Sequence, residues 1–442
     1  MSHSNQRILI LGGGFGGLAA AQAFSRKSAN VTLVDRQNHH LFQPLLYQVA
    51  TAALAAPYIA QPLRHILAKQ ENVTTIMDEV SDIDLASNQV ALKRGRVVSY
   101  DYLIIALGAQ TGYFGRNDWA KNAPGLKTLD EATQIRRRIL LAFERAETAR
   151  DTSKWAKLLS FVVVGGGPTG VETAGAVAEL SRRVLANDFR RIDPSKAHIH
   201  LIEAGPRLLP MFSEKQSDYA RKRLEQMGVT IHLNAPVKEV GREYAIAGDL
   251  RIESSNMIWA AGVEGNPLVR KIPDIPLDRG GRVLVEPDLT IPGHPNAYVV
   301  GDLASLTDVK GVRVPGVAPA ASQMGRYAAK NILSKCKGLK PKPYAYRDKG
   351  SMATIGRSSA VSYVSGWRSN GWIAWMLWLV VHLLFLMGFR NRLGVFFHWV
   401  WSYFTWNRGA RIITGLEKDD LEIASKPEGE QEEAKRPERT AD

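Results

Sequence analysis

Arg7-Ile-Leu-Ile-Leu11 runs straight into Gly12-Gly-Gly14-Phe-Gly-Gly17 and then Leu18-Ala-Ala-Ala21. The first block is a continuous apolar run of strand length and the last is helix-prone, so the glycines between them form a G-x-G-x-x-G turn from strand to helix. In that pattern the first glycine permits a tight turn and the second lets the backbone approach a pyrophosphate. The third lets the helix pack close to the strand. Phosphates then meet free N–H groups at the positive end of a helix dipole. A second apolar run, 30–35, ends in Asp35, 23 residues after Gly12, where an acid can accept hydrogen bonds from ribose hydroxyls.

The same grammar recurs near the middle of the chain. Residues 158–164 read as a strand, Gly165-Gly-Gly167-Pro-Thr-Gly170 as the turn, and 171–180 as a helix. A later strand, 198–203, ends in Glu203. The spacing of 38 residues from Gly165 to Glu203 exceeds the usual figure of about 20, which predicts a longer crossover helix through the polar, Arg-rich 181–195. Glycines serving only as turns would explain neither acid, so the pair of motifs points to two dinucleotide sites. Strands at 100–108 and 257–262 end in Gly108 and Gly262. A further strand, 297–302, ends in Gly301-Asp302, at the carboxyl edge where ligands of an open α/β sheet gather. The expected fold class is α/β, with two Rossmann-like domains. The first is discontinuous, 1–115 with 264–345, and encloses the second, 116–263.

At 442 residues the chain has room for about three units of roughly 150 residues. Its one cysteine, Cys336, excludes an internal disulfide, a CxxC redox pair, a Cys-ligated iron–sulfur cluster and a structural zinc knuckle. Any redox chemistry therefore uses a bound cofactor. The net charge is +14, and the last 27 residues hold ten acids and five bases, so the body carries +19. No Lys/Arg run interleaved with aromatics appears, and no helix-turn-helix or finger spacing, which argues against nucleic acid. His198 and His200 share a strand face without a third ligand near in sequence, so no metal site is expected. His39-His40 reads as a polar loop pair. Only six residues precede the first apolar run, so neither a secretory signal nor a transit peptide is read there, and a cytoplasmic protein is expected.

Beyond Gly366 the composition shifts. Seven of the ten tryptophans lie in 367–406, and 366–415 holds five arginines and no acid. Residues 372–389 are almost wholly apolar, with His382 alone among them, and 393–406 form a second aromatic-rich segment. Eighteen residues make about 27 Å of helix, marginal for a hydrocarbon core of about 30 Å. The second segment, the arginines and the scattered tryptophans instead favour amphipathic helices lying in the interface of an anionic lipid surface. Residues 346–415 are thus expected to form a carboxyl-terminal helical membrane-anchoring region, and 416–442 a disordered tail.

Leu41-Phe-Gln-Pro-Leu-Leu-Tyr-Gln-Val-Ala-Thr51, Tyr113-Phe-Gly115, Ala123-Pro-Gly-Leu-Lys127, the GGGPTGVE of 165–172, Gly388-Phe-Arg-Asn-Arg392 and Trp406-Asn-Arg-Gly409 occur in that order. Over about residues 7–415 they resemble type II NADH:quinone oxidoreductases, the non-pumping NADH dehydrogenases of the two-dinucleotide-binding flavoprotein superfamily. Residue by residue, the resemblance implies non-covalent FAD held by Gly12, Gly14, Gly17, Asp35 and Asp302, with Pro44 and Leu45 near the isoalloxazine. It implies NADH at Gly165, Gly167, Gly170 and Glu203, cofactor contacts also at Gly16, Gly108, Gly262, Gly301 and Ala318, and it puts Glu172 near nicotinamide and flavin. As an acid on a helix's first turn, Glu172 could instead be only a dipole-favoured residue.

The family's quinone-side motif AQ-x-A-x-Q appears as Ala318-Pro-Ala-Ala-Ser-Gln323, with Pro319 replacing the first glutamine. Gln323, Lys349 and Met352 are implied on the quinone side, and Glu172, Gln323 and Lys349 in catalysis. A solvated lysine and a core methionine are the bland readings of Lys349 and Met352. The resemblance further implies a homodimer, peripheral on the cytoplasmic side of a bacterial inner membrane, reducing ubiquinone or menaquinone. The competing readings are a soluble NADH:acceptor reductase acting on ferredoxin or rubredoxin, and a membrane-docked flavin redox sensor.

Overall fold

The computed structural model describes residues 6–25, 29–406 and 408–416. The apolar run at the amino terminus becomes the strand Gln6–Leu11, whose Ile8, Leu9, Ile10 and Leu11 are all buried. It pairs in parallel with Ala29–Asp35 on one side and Tyr102–Ile105 on the other. Val73–Met77 and His294–Val299 extend the parallel sheet, and Thr290–Ile291 closes it as an antiparallel edge. Burial on both faces is why the central strands Gln6–Leu11 and Tyr102–Ile105 read as apolar runs instead of alternating ones.

A second parallel sheet has the order Val229–His232, His198–Ile202, Ser160–Val164, Asn256–Trp259. Each sheet receives its helix from a glycine turn. The first glycine helix, Phe15–Ala23, packs on Ala318–Lys335 at a contact so close that a Cβ on Gly325 would lie 2.0 Å from the Gly16 carbonyl oxygen. The second, Pro168–Glu179, carries Gly175 against Gly356 of the loop that follows the strand Ser351–Thr354.

The long crossover to Glu203 is built otherwise than the spacing predicts. The helix ends at Glu179 and loosens into a π turn, Leu180–Val184. An irregular stretch follows, held by the Glu147 carboxylate, which accepts the N–H groups of Arg190, Arg191 and Ile192. The extra residues become a pinned loop whose Val184, Leu185 and Ile192 pack into the core. His39 and His40 also depart from the expectation. They lie on a short strand, His39–Leu41, and His40 is buried with Nδ1 3.0 Å from the Gly13 carbonyl oxygen, beneath the first glycine turn.

The meander Ser351–Thr354, Ala360–Val364, Trp367–Asn370 leads into two helices, Gly371–Phe385 and Phe389–Thr405. Gly388, at φ +83°, breaks the apolar run that the sequence presents as 18 continuous residues. The first helix then spans 15 residues, about 22 Å at 1.5 Å per residue. Among the described residues, no helix is long and apolar enough to cross a membrane. The two helices run antiparallel, with Trp375 against Tyr403 and Trp378 against Trp399. Their outer faces expose apolar residues at helical spacing: Trp372, Met376, Val380 and Leu384 on one, Phe389, Leu393, Phe397, Trp401 and Phe404 on the other. The inner faces bury Trp378 and Val395, and His382 stacks on Trp378 with its pKa pushed down to about 4 by burial. His382 is thus a packed, neutral histidine. The charged tail, 417–442, lies outside the described residues.

Candidate functional site

The two glycine turns are superimposable in their chemistry. Gly12 and Gly165 have φ of +97° and +112°, and a Cβ on either would strike the carbonyl oxygen of Ala106 or Ala260, at 2.4 and 2.5 Å. A Cβ on Gly17 would lie 1.8 Å from the Gly12 oxygen, and one on Gly170 1.7 Å from the Gly165 oxygen, so only glycine allows each helix to start so close to its strand. Around Gly14 and Gly167, by contrast, a Cβ would meet nothing within 4 Å. Both are N-caps without a capping side chain, and neither helix has an acid in its first turn. Each turn therefore presents uncapped N–H groups to open space, the arrangement that receives phosphate.

The two acids also correspond. Asp35 Oδ2 accepts the Gly13 N–H at 2.5 Å and Oδ1 that of Gln37 at 2.7 Å. Glu203 Oε2 accepts the Gly166 N–H at 2.5 Å and Oε1 that of Gly205 at 2.7 Å. Burial pushes the Asp35 pKa up, against the pull of those two N–H groups. Part of each acid's work is thus to brace its own turn, a role the spacing argument does not reveal.

Of the remaining predicted residues, Gly108 is at φ +67° with open space around it, and Gly301 at φ +76° sits against Ala321. Gly262 faces Phe114. Asp302 lies in the turn after His294–Val299 and pairs with Lys127 Nζ at 3.3 Å, both side chains about one-fifth exposed. The Lys127 carbonyl accepts from Gln43 Nε2 at 3.3 Å, which carries the Asp302 turn to the segment holding Pro44 and Leu45. Leu45 itself is fully buried. Ala318 opens its helix and Pro319 occupies the first turn, where a missing N–H costs no hydrogen bond.

Glu172 stands in the second turn of its helix, not the first, because the helix begins at Pro168. Its Oε1 accepts the Thr354 N–H at 3.2 Å. Burial raises its pKa to about 8, only partly offset by that bond, so near neutral pH the carboxyl is largely protonated. Oε2 is left to carry the proton.

Thr354 Oγ1 lies 3.0 Å from the Tyr47 hydroxyl, which accepts from Gln48 Nε2 at 3.1 Å, and Gln48 Oε1 accepts from Trp399 Nε1 at 2.9 Å. An unbroken set of hydrogen bonds thus joins the apolar hairpin to the backbone that holds Glu172. Sequence reasoning assigns no role to Tyr47, Gln48, Thr354 or Trp399, although the first two lie inside the quoted 41–51 segment.

Gln323 and Lys349 are brought together indirectly. Gln323 donates to the Arg347 carbonyl at 2.9 Å and accepts the Arg347 N–H at 3.1 Å, so its amide is spent on holding the loop that presents the exposed Lys349. Met352 is half-buried on the strand Ser351–Thr354, two residues from the partner of Glu172. His200 pairs with His232 of the neighbouring strand, and no group of three or more His, Cys, Asp or Glu among the described residues is placed to hold a metal.

The pyridine nucleotide-disulphide oxidoreductase family model matches residues 6–325, and that of the NDH2 C-terminal domain matches 349–406. The type II NADH:quinone oxidoreductase NdhA of Mycobacterium tuberculosis is 46% identical over 424 residues, 92% of this chain and 89% of its own. Ndh of the same organism is 44% identical over 422 residues, 92% of this chain and 90% of its own. Among solved structures, NDH2 from Plasmodium falciparum in complex with NADH shares the fold, with a TM-score of 0.85 at 22% identity over 93% of this chain and 100% of that one. Twin glycine cradles, a carboxyl-terminal apolar hairpin and relatives similar over nearly the whole length lead to one assignment: the chain belongs to the type II NADH:quinone oxidoreductases.

Proposed function

We propose that this chain transfers two electrons from NADH through non-covalently bound FAD to a membrane quinone, without pumping protons. The observation that carries this reading is one protonatable carboxyl, Glu172, on the second glycine helix, held by the Thr354 N–H of the strand Ser351–Thr354, whose hydroxyl in turn meets Tyr47, two residues beyond Leu45. The residues present fit the cofactor: the Gly14 cradle is open, its N–H groups are uncapped and Asp35 stands beside it. Bound there, FAD supplies hydride acceptance from NADH and electron delivery to quinone. We read residues 1–115 with 264–345 as the FAD-binding part and 116–263 as the NADH-binding part, a division supported by how the strands are shared between the two sheets.

In this reading the uncapped N–H groups after Gly14 and Gly167 bind the two pyrophosphates, and Asp35 and Glu203 orient the riboses. Glu172 Oε2 holds a proton for reduced quinone, and the Tyr47–Thr354 pair fixes the backbone that positions Glu172. Gln323 acts as a positioning residue by tethering the loop of Lys349. The exposed stripe of the hairpin lies in a lipid interface, with the body on the cytoplasmic face of a bacterial inner membrane and the chain paired as a homodimer. An exposed apolar face of this extent marks a membrane or protein contact.

Two experiments test separate parts. Glu203→Gln removes a negative charge that repels a 2′-phosphate, so the ratio of kcat/KM for NADH over NADPH should shrink by roughly tenfold. An unchanged ratio would remove Glu203 from the ribose site. Gln323→Ala frees the Arg347 loop and should slow quinone turnover by up to roughly 30-fold for two lost hydrogen bonds of about 1 kcal/mol each. Flavin reduction by NADH, followed by stopped flow, should not change. A mutant slowed only in flavin reduction would move Gln323 to the nicotinamide side.

A further inference from the structure

At one end of the hairpin two adjoining cavities form a groove. The smaller, about 400 Å³, is lined by Lys222, Arg223, Ser358 and Trp372. The larger, about 600 Å³, is lined by Arg182, Arg183, Arg223, Arg357 and Trp406, and Arg223 and Ser358 belong to both. Because the helices are antiparallel, Trp372 at the start of one and Trp406 just past the end of the other lie at the same end and flank the groove. The single carboxylate in the lining, Glu179, is already engaged by Arg408 and by the Arg357 N–H.

Among the described residues, Arg182, Arg183 and Arg223 have no carboxylate within ion-pairing distance. Arg182 Nη1 and Arg223 Nε are buried without a hydrogen-bond partner, and the Arg183 guanidinium stands 5.8 Å from the Trp406 ring. Burial lowers the pKa of Arg182 and of Arg357, the direction a nearby anion would reverse. Three neighbouring arginines without an ion-pair partner fit a phosphate ester, for which arginine is the favoured donor; Lys222 is already paired with Asp218. The groove's rim continues into the exposed apolar stripe, at Trp372 on one helix and at Trp401 and Phe404 on the other. A free phosphate would use only the arginines, whereas a phosphodiester carrying acyl chains would use both surfaces.

We propose that this groove binds the headgroup of an anionic phospholipid, its phosphodiester held by Arg183 and Arg223 and its acyl chains lying along the hairpin's apolar stripe. The inference rests on the hairpin being the lipid-facing surface. Arg182 and Arg357 are unsuitable for the test because they also hold backbone carbonyls, of Ala197 and Gly228 in one case and of Ser402 and Tyr403 in the other. The test uses full-length, FAD-loaded protein and flotation with two kinds of vesicle, pure phosphatidylcholine or phosphatidylcholine mixed with phosphatidylglycerol.

The wild type should bind both and prefer the phosphatidylglycerol vesicles. The variant Arg183→Gln/Arg223→Gln should keep its flavin and its binding to phosphatidylcholine, and lose the preference by about fivefold per arginine removed. Arg390→Gln, a charge at the opposite end of the hairpin, should lose much less. Equal losses in the two variants would overturn the site in favour of diffuse attraction. Glycerol phosphate competing at the concentration of the lipid would overturn it in favour of a soluble phosphate ester. Failure of the wild type to bind either vesicle would refute the lipid-facing hairpin itself.

Discussion

Glu172→Gln should lower quinone turnover by roughly 100-fold while leaving NADH able to bleach the flavin. The amide keeps the acceptor that the Thr354 N–H requires, so the local structure survives, but it cannot release a proton. The wild-type pH profile should carry the mark of the same group. Its carboxyl is protonated below about pH 8, so quinone turnover should fall as the pH rises through that value, and the variant should be flat there.

Stability should move with it. The folded protein holds this proton more tightly than an unfolded chain with the ordinary value of 4.5, so its contribution is full below about 4.5 and is lost as the pH climbs through about 8. Glu172→Gln should therefore unfold less readily than wild type above pH 8. A variant with full quinone turnover and an unaltered profile would remove Glu172 from the proton path.

Arg408→Met should cost the fold roughly 3 kcal/mol, because it strands a largely buried carboxylate. Arg408 is 6% exposed. Its Nη2 lies 2.9 Å from Glu179 Oε2, and its Nη1 donates to the carbonyls of Thr51 and Ala176, so one side chain ties the carboxyl-terminal strap to both the 46–51 segment and the second glycine helix. Arg357 seals the same junction by lying 3.3 Å over the Trp406 ring and donating to Ser402 and Tyr403. Adding Glu179→Gln should recover much of the loss, since the amide oxygen still accepts the Arg357 N–H and no unpaired charge remains. Chemical unfolding followed by flavin release measures both. If the double variant were as unstable as the single one, the cost would lie in packing and not in the ion pair.

The elements legible in the sequence were those whose chemistry is local. Gly17 and Gly170 sit five residues from the Gly12 and Gly165 carbonyls that force glycine upon them, and Asp35 and Glu203 end strands one crossover away. The hairpin was half legible: its composition announced an interfacial region, but the break at Gly388 turned one apolar run of 18 residues into a helix of 15 and a turn. What could not be read was long-range pairing. Glu179 with Arg408, Tyr47 with Thr354 and Gln48 with Trp399 are each more than 200 residues apart, and no periodicity links them. Gln323 shows the same limit: nothing in its motif announces that its amide holds the Arg347 backbone, 24 residues on.

The most direct test of the central claim is an anaerobic titration in two steps. NADH added to the purified, flavin-loaded protein should bleach the flavin absorbance, and a ubiquinone or menaquinone analogue added next should restore it through many turnovers. Flavin that NADH does not bleach, or reduced flavin that persists in the presence of quinone, would contradict the account.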